Sequence, residues 1–341
     1  MPVITRSIEQ EQTPFSPLDI HFAELMEKYC GGSNEPVRLA AALVSYFRGR
    51  GHTCVHLPTF CQAPFLPDTS VRIECPSLHA WTIHLRESPV VGTPGQFRPL
   101  ILDASGRLYL QRYWRYESDL AQSIRQRLGT IPVDEGILRD GLARLFNSDT
   151  RPDWQKVAAF TALTHPFTII SGGPGTGKTS TVLKILALLL EQRSSMRIVL
   201  TAPTGKAASR LQESIKAAKP NLNCPDEIKA AIPETASTIH RLLRMTPDLS
   251  RFRHNARNQL ALDVIVIDEA SMVDLALMTK LLAAVPASAR VILLGDKDQL
   301  SSVEAGAVLG DICSAGTPET FSKTFCDAYA RVTGESLPAG G

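Results

Sequence analysis

"FTIISGGPGTGKTSTVLKILALLL", residues 167–190, decides how this chain is read. A short apolar run enters a glycine-rich bend, and a long apolar run leaves it. The bend sets Gly172, Gly177, Lys178 and Thr179 in the spacing G-x-x-x-x-G-K-[ST], the spacing of a loop that cradles phosphates. Glycine has no Cβ, so the backbone can close on an anion and turn its N–H groups inward. A helix starting near Lys178 adds unpaired donors and the positive end of its dipole. The Lys178 ammonium suits the outer phosphates of a nucleoside triphosphate, and the Thr179 hydroxyl suits Mg²⁺. The candidate binding set is therefore Gly172, Gly173, Pro174, Gly175, Thr176, Gly177, Lys178, Thr179 and Ser180.

Further along, apolar runs recur at "RIVLTAP" (197–203), "DVIVIDEA" (263–270) and "RVILLGD" (290–296), mostly with helical patterns between them. Runs of Val and Ile without alternation are strands buried on both faces. They predict an α/β fold, a P-loop NTPase with a parallel sheet and helices on both faces, whose functional loops lie at the C-terminal ends of the strands. The motifs fall there. Asp268 and Glu269 follow "VIVI", where one acid can hold Mg²⁺ and its neighbour can polarise water. Asp296 and Gln299 end the "RVILLGD" run, beside the expected terminal phosphate. "LTAPTGKAASRL" (200–211) reads as a strand, a Pro turn and a helix start suited to an anionic backbone. Residues 237–260, "STIHRLLRMTPDLSRFRHNARNQL", hold five arginines and two histidines against the single acid Asp248. With Phe252 and His254 for stacking, this stretch is the best local candidate for a nucleic-acid surface.

Upstream, helices are predicted at Leu18–Tyr29 and Val37–Arg48, followed by irregular Pro-containing stretches, a loop at 90–99 and a hairpin over 100–114. Helical stretches around Glu117–Arg127 and Gly136–Leu145 precede a turn-rich entrance at 146–154. This gives a smaller mixed α/β N-terminal domain (1–115), a helical connector (116–150), a nucleotide domain (151–325) with an arginine-rich hairpin insertion near 244–262, and a tail (326–341). His52, Cys54 and His56 alternate with Cys61 nearby, but structural zinc spacing is absent.

With 341 residues and a net charge of +2, the chain has ample length for a core and no global basic field. Its seven cysteines are scattered and odd in number, which favours free thiols in a reducing compartment. The N-terminus lacks a signal-peptide apolar region, and no apolar run approaches the roughly 18 residues of a membrane span. A cytoplasmic protein without membrane contact is expected.

Taken in order, "GGPGTGKT", "TAPTGKAA", "STIHRLL", "DEAS" and "GDKDQL" resemble motifs I, Ia, Ib, II and III of superfamily 1 DNA helicases. Adding "DWQKVAAF" (153–160) and "SVEAGAVLGDIC" (302–313), the chain resembles the RecD family, the alpha subunits of exodeoxyribonuclease V (the RecBCD complex). "LAAALVSYFRGRGHTCVHLP" (39–58) and "GRLYLQRYW" (106–114) extend the likeness toward the N-terminus. The resemblance implies a RecA-like ATPase domain, with ATP and Mg²⁺ as cofactors and Gln155 reading adenine. It further implies Lys178 on phosphate, Thr179 and Asp268 on the metal, Glu269 activating water, and Gln299 coupling the γ-phosphate to DNA. Pro203, Thr204, Lys206 and His240 would meet single-stranded DNA, with Arg251, Phe252 and Arg253 on a hairpin that splits the duplex. The N-terminal domain would dock on partner subunits of a RecBCD-like complex. The implied activity is 5′ to 3′ unwinding in double-strand-break repair and recombination. In that family a second RecA-like domain supplies motifs IV to VI and a catalytic arginine, whereas only 41 residues follow "GDKDQL". The expectation is a truncated chain that keeps ATP binding and lacks unwinding.

Two other nucleotide-binding classes fit less well. A GTPase would carry N-K-x-D, but Asp296 and Gln299 stand where its Asn and Asp belong. An AAA-type ATPase would place an Asn sensor in the fourth strand, and Gln299 sits beyond it. A non-catalytic docking module with a structural nucleotide site is the remaining alternative.

Overall fold

The structure, a computed structural model, describes residues 14–64, 66, 72–146, 152–173, 175–245, 251–299, 305–315 and 321–338. It divides into two compact units, residues 1–119 with 302–306 and residues 120–301 with 307–341.

In the first unit, helix α1 (Pro17–Tyr29) starts on a reciprocal cap between Ser16 and Asp19. Helix α2 (Glu35–Gly49) is buried without interruption from Val37 to Tyr46 and forms the centre of this unit's core. Strand β1 (Cys54–His56) runs into α3 (Leu57–Gln62), and α4 (Leu78–Glu87) follows, its Trp81 fully buried with Nε1 donating to Pro36 O at 2.9 Å. Strands β2 (Val91–Gly92), β3 (Leu100–Leu102) and β4 (Arg107–Leu110) complete a mixed sheet in the order β1-β4-β3-β2. Its β2–β3 pair is parallel and its other pairs are antiparallel.

Two sequence expectations need correction in this unit. The hairpin does turn at Asp103–Gly106, but its second strand stops at Leu110. Gln111 to Trp114 open helix α5 (Gln111–Arg125) instead. Aromatic residues favour strands, yet here they fall on a strongly amphipathic helical pattern, and tertiary packing overrides the propensity. The stretch read as irregular after residue 48 contains β1, α3 and α4. Each is too short for a periodic signal, and Pro58 at the first turn of α3 reads as a breaker although it is tolerated there.

The second unit carries α6 (Glu135–Leu145), α7 (Trp154–Thr164), β5 (Phe167–Ser171), α8 (Lys178–Gln192), β6 (Ile198–Ala202), α9 (Gly205–Ala218), α10 (Asp226–Ala231), β7 (Ala236–Thr238) and α11 (Ile239–Leu243). It continues with β8 (Val264–Ile267), α12 (Leu275–Ala284), β9 (Arg290–Gly295), α13 (Val308–Ser314) and α14 (Lys323–Thr333). The five strands form one wholly parallel sheet in the order β5-β9-β8-β6-β7. Val264, Val266, Ile292 and Leu294 join the core formed with α6, α7, α8 and α14. Their neighbours Ile265, Ile267, Val291 and Leu293 are equally buried and point to the opposite face. Met278, Leu281 and Leu282 of α12 are buried outside the first cluster. The sheet is therefore covered on both faces, as the Val- and Ile-rich runs require.

Candidate nucleotide site

Strand register levels the C-terminal ends of the sheet. Ser171 pairs with Gly295, Ile267 with both Leu293 and Thr201, and Ala202 with Thr238. Five strand ends thus form a row. From β5 across to β7 the row carries the phosphate loop, Asp296 and Gln299, Asp268 and Glu269, then Pro203 and Thr204, and finally His240.

The loop is tied to its neighbour, with Gly172 N donating to Gly295 O at 3.1 Å and Lys297 N to Ser171 Oγ at 3.2 Å. Gly175 and Gly177 take φ of +77° and +81°, a region that costs other residues roughly 1–2 kcal/mol. Thr176 Oγ1 donates to Gly173 O at 2.9 Å and braces the turn. Helix α8 starts from Gly177 without a side-chain cap, whereas α7, α9 and α12 are capped by Asp153, Thr204 and Asp274. Its first-turn N–H groups, those of Lys178, Thr179 and Ser180, are left to a ligand. The Lys178 ammonium folds back onto Gly172 O and Gly173 O, the latter at 2.9 Å. A phosphate would compete with these neutral carbonyls and win on charge. Pro174 lies outside the described residues.

Gln155 comes to the same loop from α7, its Nε2 donating to Thr176 O at 3.2 Å. Asp153 fixes that helix start by accepting from Gln155 N and Lys156 N at 3.0 and 3.2 Å. Asp268 sits half-buried at the end of β8. Burial raises its carboxyl above the usual aspartate range; the charge of Glu269 adds to this, while the Glu269 N–H and the charge of Lys178 oppose it. A carboxylate in that position gains from a cation. Glu269 follows at φ +51°, its N–H on Asp268 Oδ1 at 3.0 Å. Asp296 is buried, with Gln299 N donating back to its carbonyl at 3.3 Å. The donor set of Thr179 hydroxyl and Asp268 carboxylate is all oxygen and fits Mg²⁺.

At the far end of the row, Thr204 caps α9, accepting from Ala207 N at 3.2 Å, and Lys206 is exposed on the first turn. The exposed His240 ring lies 5.8 Å from the ring of Phe252, and Lys280 Nζ stands 5.6 Å from that ring's centre. Arg253 N donates to Arg244 O, and isolated antiparallel bridges join Met245 to Phe252 and Asn255 to Asn258. Arg251 and Arg253 are exposed there; residues 246–250 of the expected hairpin lie outside the described set. Sequence reasoning missed Asp153, Ser171 and Lys280. An Asp one residue before a helical pattern is a cap signal that could have found the first. Nothing in one dimension marks the other two.

The row of strand ends and the uncapped helix define a P-loop nucleotide-binding domain of α/β class. Residues 155–305 match the family described as AAA domain. Residues 11–109 match the family described as RecBCD enzyme subunit RecD, N-terminal domain. The RecBCD enzyme subunit RecD of Mycolicibacterium smegmatis is 41% identical over 303 residues, covering 87% of this chain and 52% of that protein. The Haemophilus influenzae RecD is 38% identical over 327 residues, covering 86% and 50%. An ATP-dependent RecD2 DNA helicase of Deinococcus radiodurans is 40% identical over 205 residues, covering 60% and 26%. The chain is a RecD homologue, and it spans about half the length of the RecD relatives it matches. Among the described residues no helix is long and apolar enough to cross a membrane.

Proposed function

We propose that residues 151–325 bind ATP with Mg²⁺ and act as the first ATPase domain of a DNA helicase subunit. The observation that carries this reading is the uncapped start of α8 with Lys178 poised over it, flanked along the row by Asp268, Glu269 and Gln299. Gly172–Ser180 hold the phosphates, and Gln155, already on the loop, reads the base. Thr179 and Asp268 would hold Mg²⁺, which when bound neutralises charge on the outer phosphates. Glu269 orients and deprotonates the attacking water, and Gln299 senses the γ-phosphate. Pro203, Thr204, Lys206, His240, Arg251, Phe252 and Arg253 take single-stranded DNA, with the His240–Phe252 pair offering a face for a base. Residues 1–115 dock on partner subunits of a RecBCD-like complex. The setting is cytoplasmic double-strand-break repair and recombination. Unwinding in the 5′ to 3′ direction is proposed for a protein of the relatives' full length, of which this chain spans about half.

The test is ATP binding and hydrolysis by the purified chain, with and without oligo-dT, beside Lys178→Gln. Losing charge-assisted hydrogen bonds worth about 1.5–3 kcal/mol should weaken ATP binding roughly ten- to hundredfold. Equal affinity of both proteins for ATP would overturn the reading. Binding by the wild type without turnover on DNA would favour a docking module whose nucleotide is structural.

A further inference from the structure

All seven cysteines are free thiols, yet two of them are adjacent in space. Cys61, near the end of α3, and Cys75, shortly before α4, are 14 positions apart, and the Cys75 thiol donates to Cys61 Sγ at 3.9 Å. The chain on either side holds them there. Ile73 N donates to Pro64 O at 2.7 Å, closing the neck of the connection between the two helices. Leu66 and Ile73 are each only 1% exposed and anchor that neck in the core of the first unit. Cys61 and Cys75 both pack against the same apolar cluster and stay partly open to solvent. A disulfide needs its sulfurs about 2 Å apart, so the 3.9 Å pair must close by roughly 1.9 Å.

We propose that Cys61 and Cys75 form a redox-sensitive dithiol site that takes a disulfide from a low-molecular-weight disulfide oxidant of the glutathione class. The ionised sulfur of one cysteine attacks the oxidant and releases one thiol, leaving a mixed disulfide. The second cysteine then attacks the protein sulfur and releases the other thiol. Two protein S–H bonds and the oxidant's S–S bond break, while one protein S–S bond and the S–H bonds of two released thiols form; the two electrons and two protons leave with those thiols. Burial, then the neighbouring thiol, pushes the Cys61 thiol up to about 12, so little of it is ionised near neutral pH and its exchange is slow. Closing the bond staples the neck between α3 and α4 in the N-terminal unit.

The full 341-residue chain, purified under reductant, is equilibrated in glutathione buffers from fully reduced to fully oxidised. It is then alkylated and digested with trypsin under non-reducing conditions. Cleavage after Arg50, Arg72 and Arg86 puts Cys61 and Cys75 on different peptides, 51–72 and 73–86. The expected result is that most of Cys75 is recovered as that cross-linked pair, fragment ions placing the bond on Cys61 rather than Cys54. The half-buried Cys224 and Cys313 should remain alkylated in the same sample. Cys61→Ser should abolish the pair and leave Cys75 alkylated or glutathionylated. Recovery of Cys61 and Cys75 as free thiols in the same proportion as Cys224 and Cys313, or a Cys54–Cys75 link, overturns the proposal. The wild-type map decides the matter even if a variant folds poorly.

Discussion

Gly175 and Gly177 have nearly the same positive φ but different surroundings, and that contrast allows a worked test. At Gly175 an added Cβ meets nothing within 4 Å, so Gly175→Ala bears only the left-handed strain, about 1 kcal/mol. At Gly177 the Cβ would lie 2.9 Å from Gln155 Nε2. The amide is the mobile end of its side chain and can swing away, but it then gives up its bond to Thr176 O. A hydrogen bond of this kind is worth about 0.5–1.5 kcal/mol net, and an exposed one sits at the lower end. Gly177→Ala should therefore cost about 1.5–2 kcal/mol against about 1 for Gly175→Ala. In a Gln155→Ala background the excess should vanish, giving a coupling of about 0.5–1 kcal/mol. Peptide-resolved hydrogen exchange over β5 and α8, without nucleotide, reads the opening free energy of that unit alone. Equal costs for the two glycines with Gln155 present, or an excess that survives Gln155→Ala, would refute the contact on which the adenine-reading role of Gln155 rests.

Three further outcomes are expected. Because burial holds the Asp268 carboxyl above its usual range, its stabilising protonated state is present below the ordinary aspartate range and is lost as pH rises through the raised value. Asp268→Asn should accordingly raise the melting temperature of the nucleotide-free protein at pH 7, by less as the pH is lowered, while abolishing Mg²⁺-dependent hydrolysis; a lower melting temperature at pH 7 would contradict this. Asp153→Ala removes the cap on Gln155 N and Lys156 N and should cost about 1 kcal/mol in hydrogen exchange of α7. The buried Arg127 guanidinium donates to Ser123 O, Val285 O and Pro286 O, so Arg127→Met should destabilise the second unit by about 2–3 kcal/mol in exchange of α12 amides.

The legible parts of the chain were those where chemistry imposes spacing or burial imposes composition. The phosphate loop could be read because a helix start must follow a glycine turn at a fixed distance. Strands β5, β6, β8 and β9 could be read because a sheet buried on both faces leaves runs of Val, Ile and Leu. Strand β7 was not legible. Its three residues are only half-buried at the sheet edge, and they carry no apolar run. The spatial order of the motifs was hidden as well. Along the chain they run I, Ia, Ib, II, III, but across the sheet I, III, II, Ia, Ib. Register and strand insertion are set by long-range pairing, which local patterns do not encode. For the same reason Lys280, on α12, gave no hint that it would stand over the ring of Phe252.

The place of β9 has a consequence for how the protein is made. Among the described strands β5 has a single neighbour, β9, and β9 is the last of the five to leave the ribosome. Roughly 120 residues separate them, so at about 5–20 residues per second the phosphate strand waits some 6–24 s for its partner. During that interval "FTII" is an apolar edge with no sheet to join, the kind of surface that invites wrong pairing. The ligand-binding loop is thus synthesised early and assembled late. Pauses in translation between residues 171 and 290 would lengthen the time for which this edge is exposed.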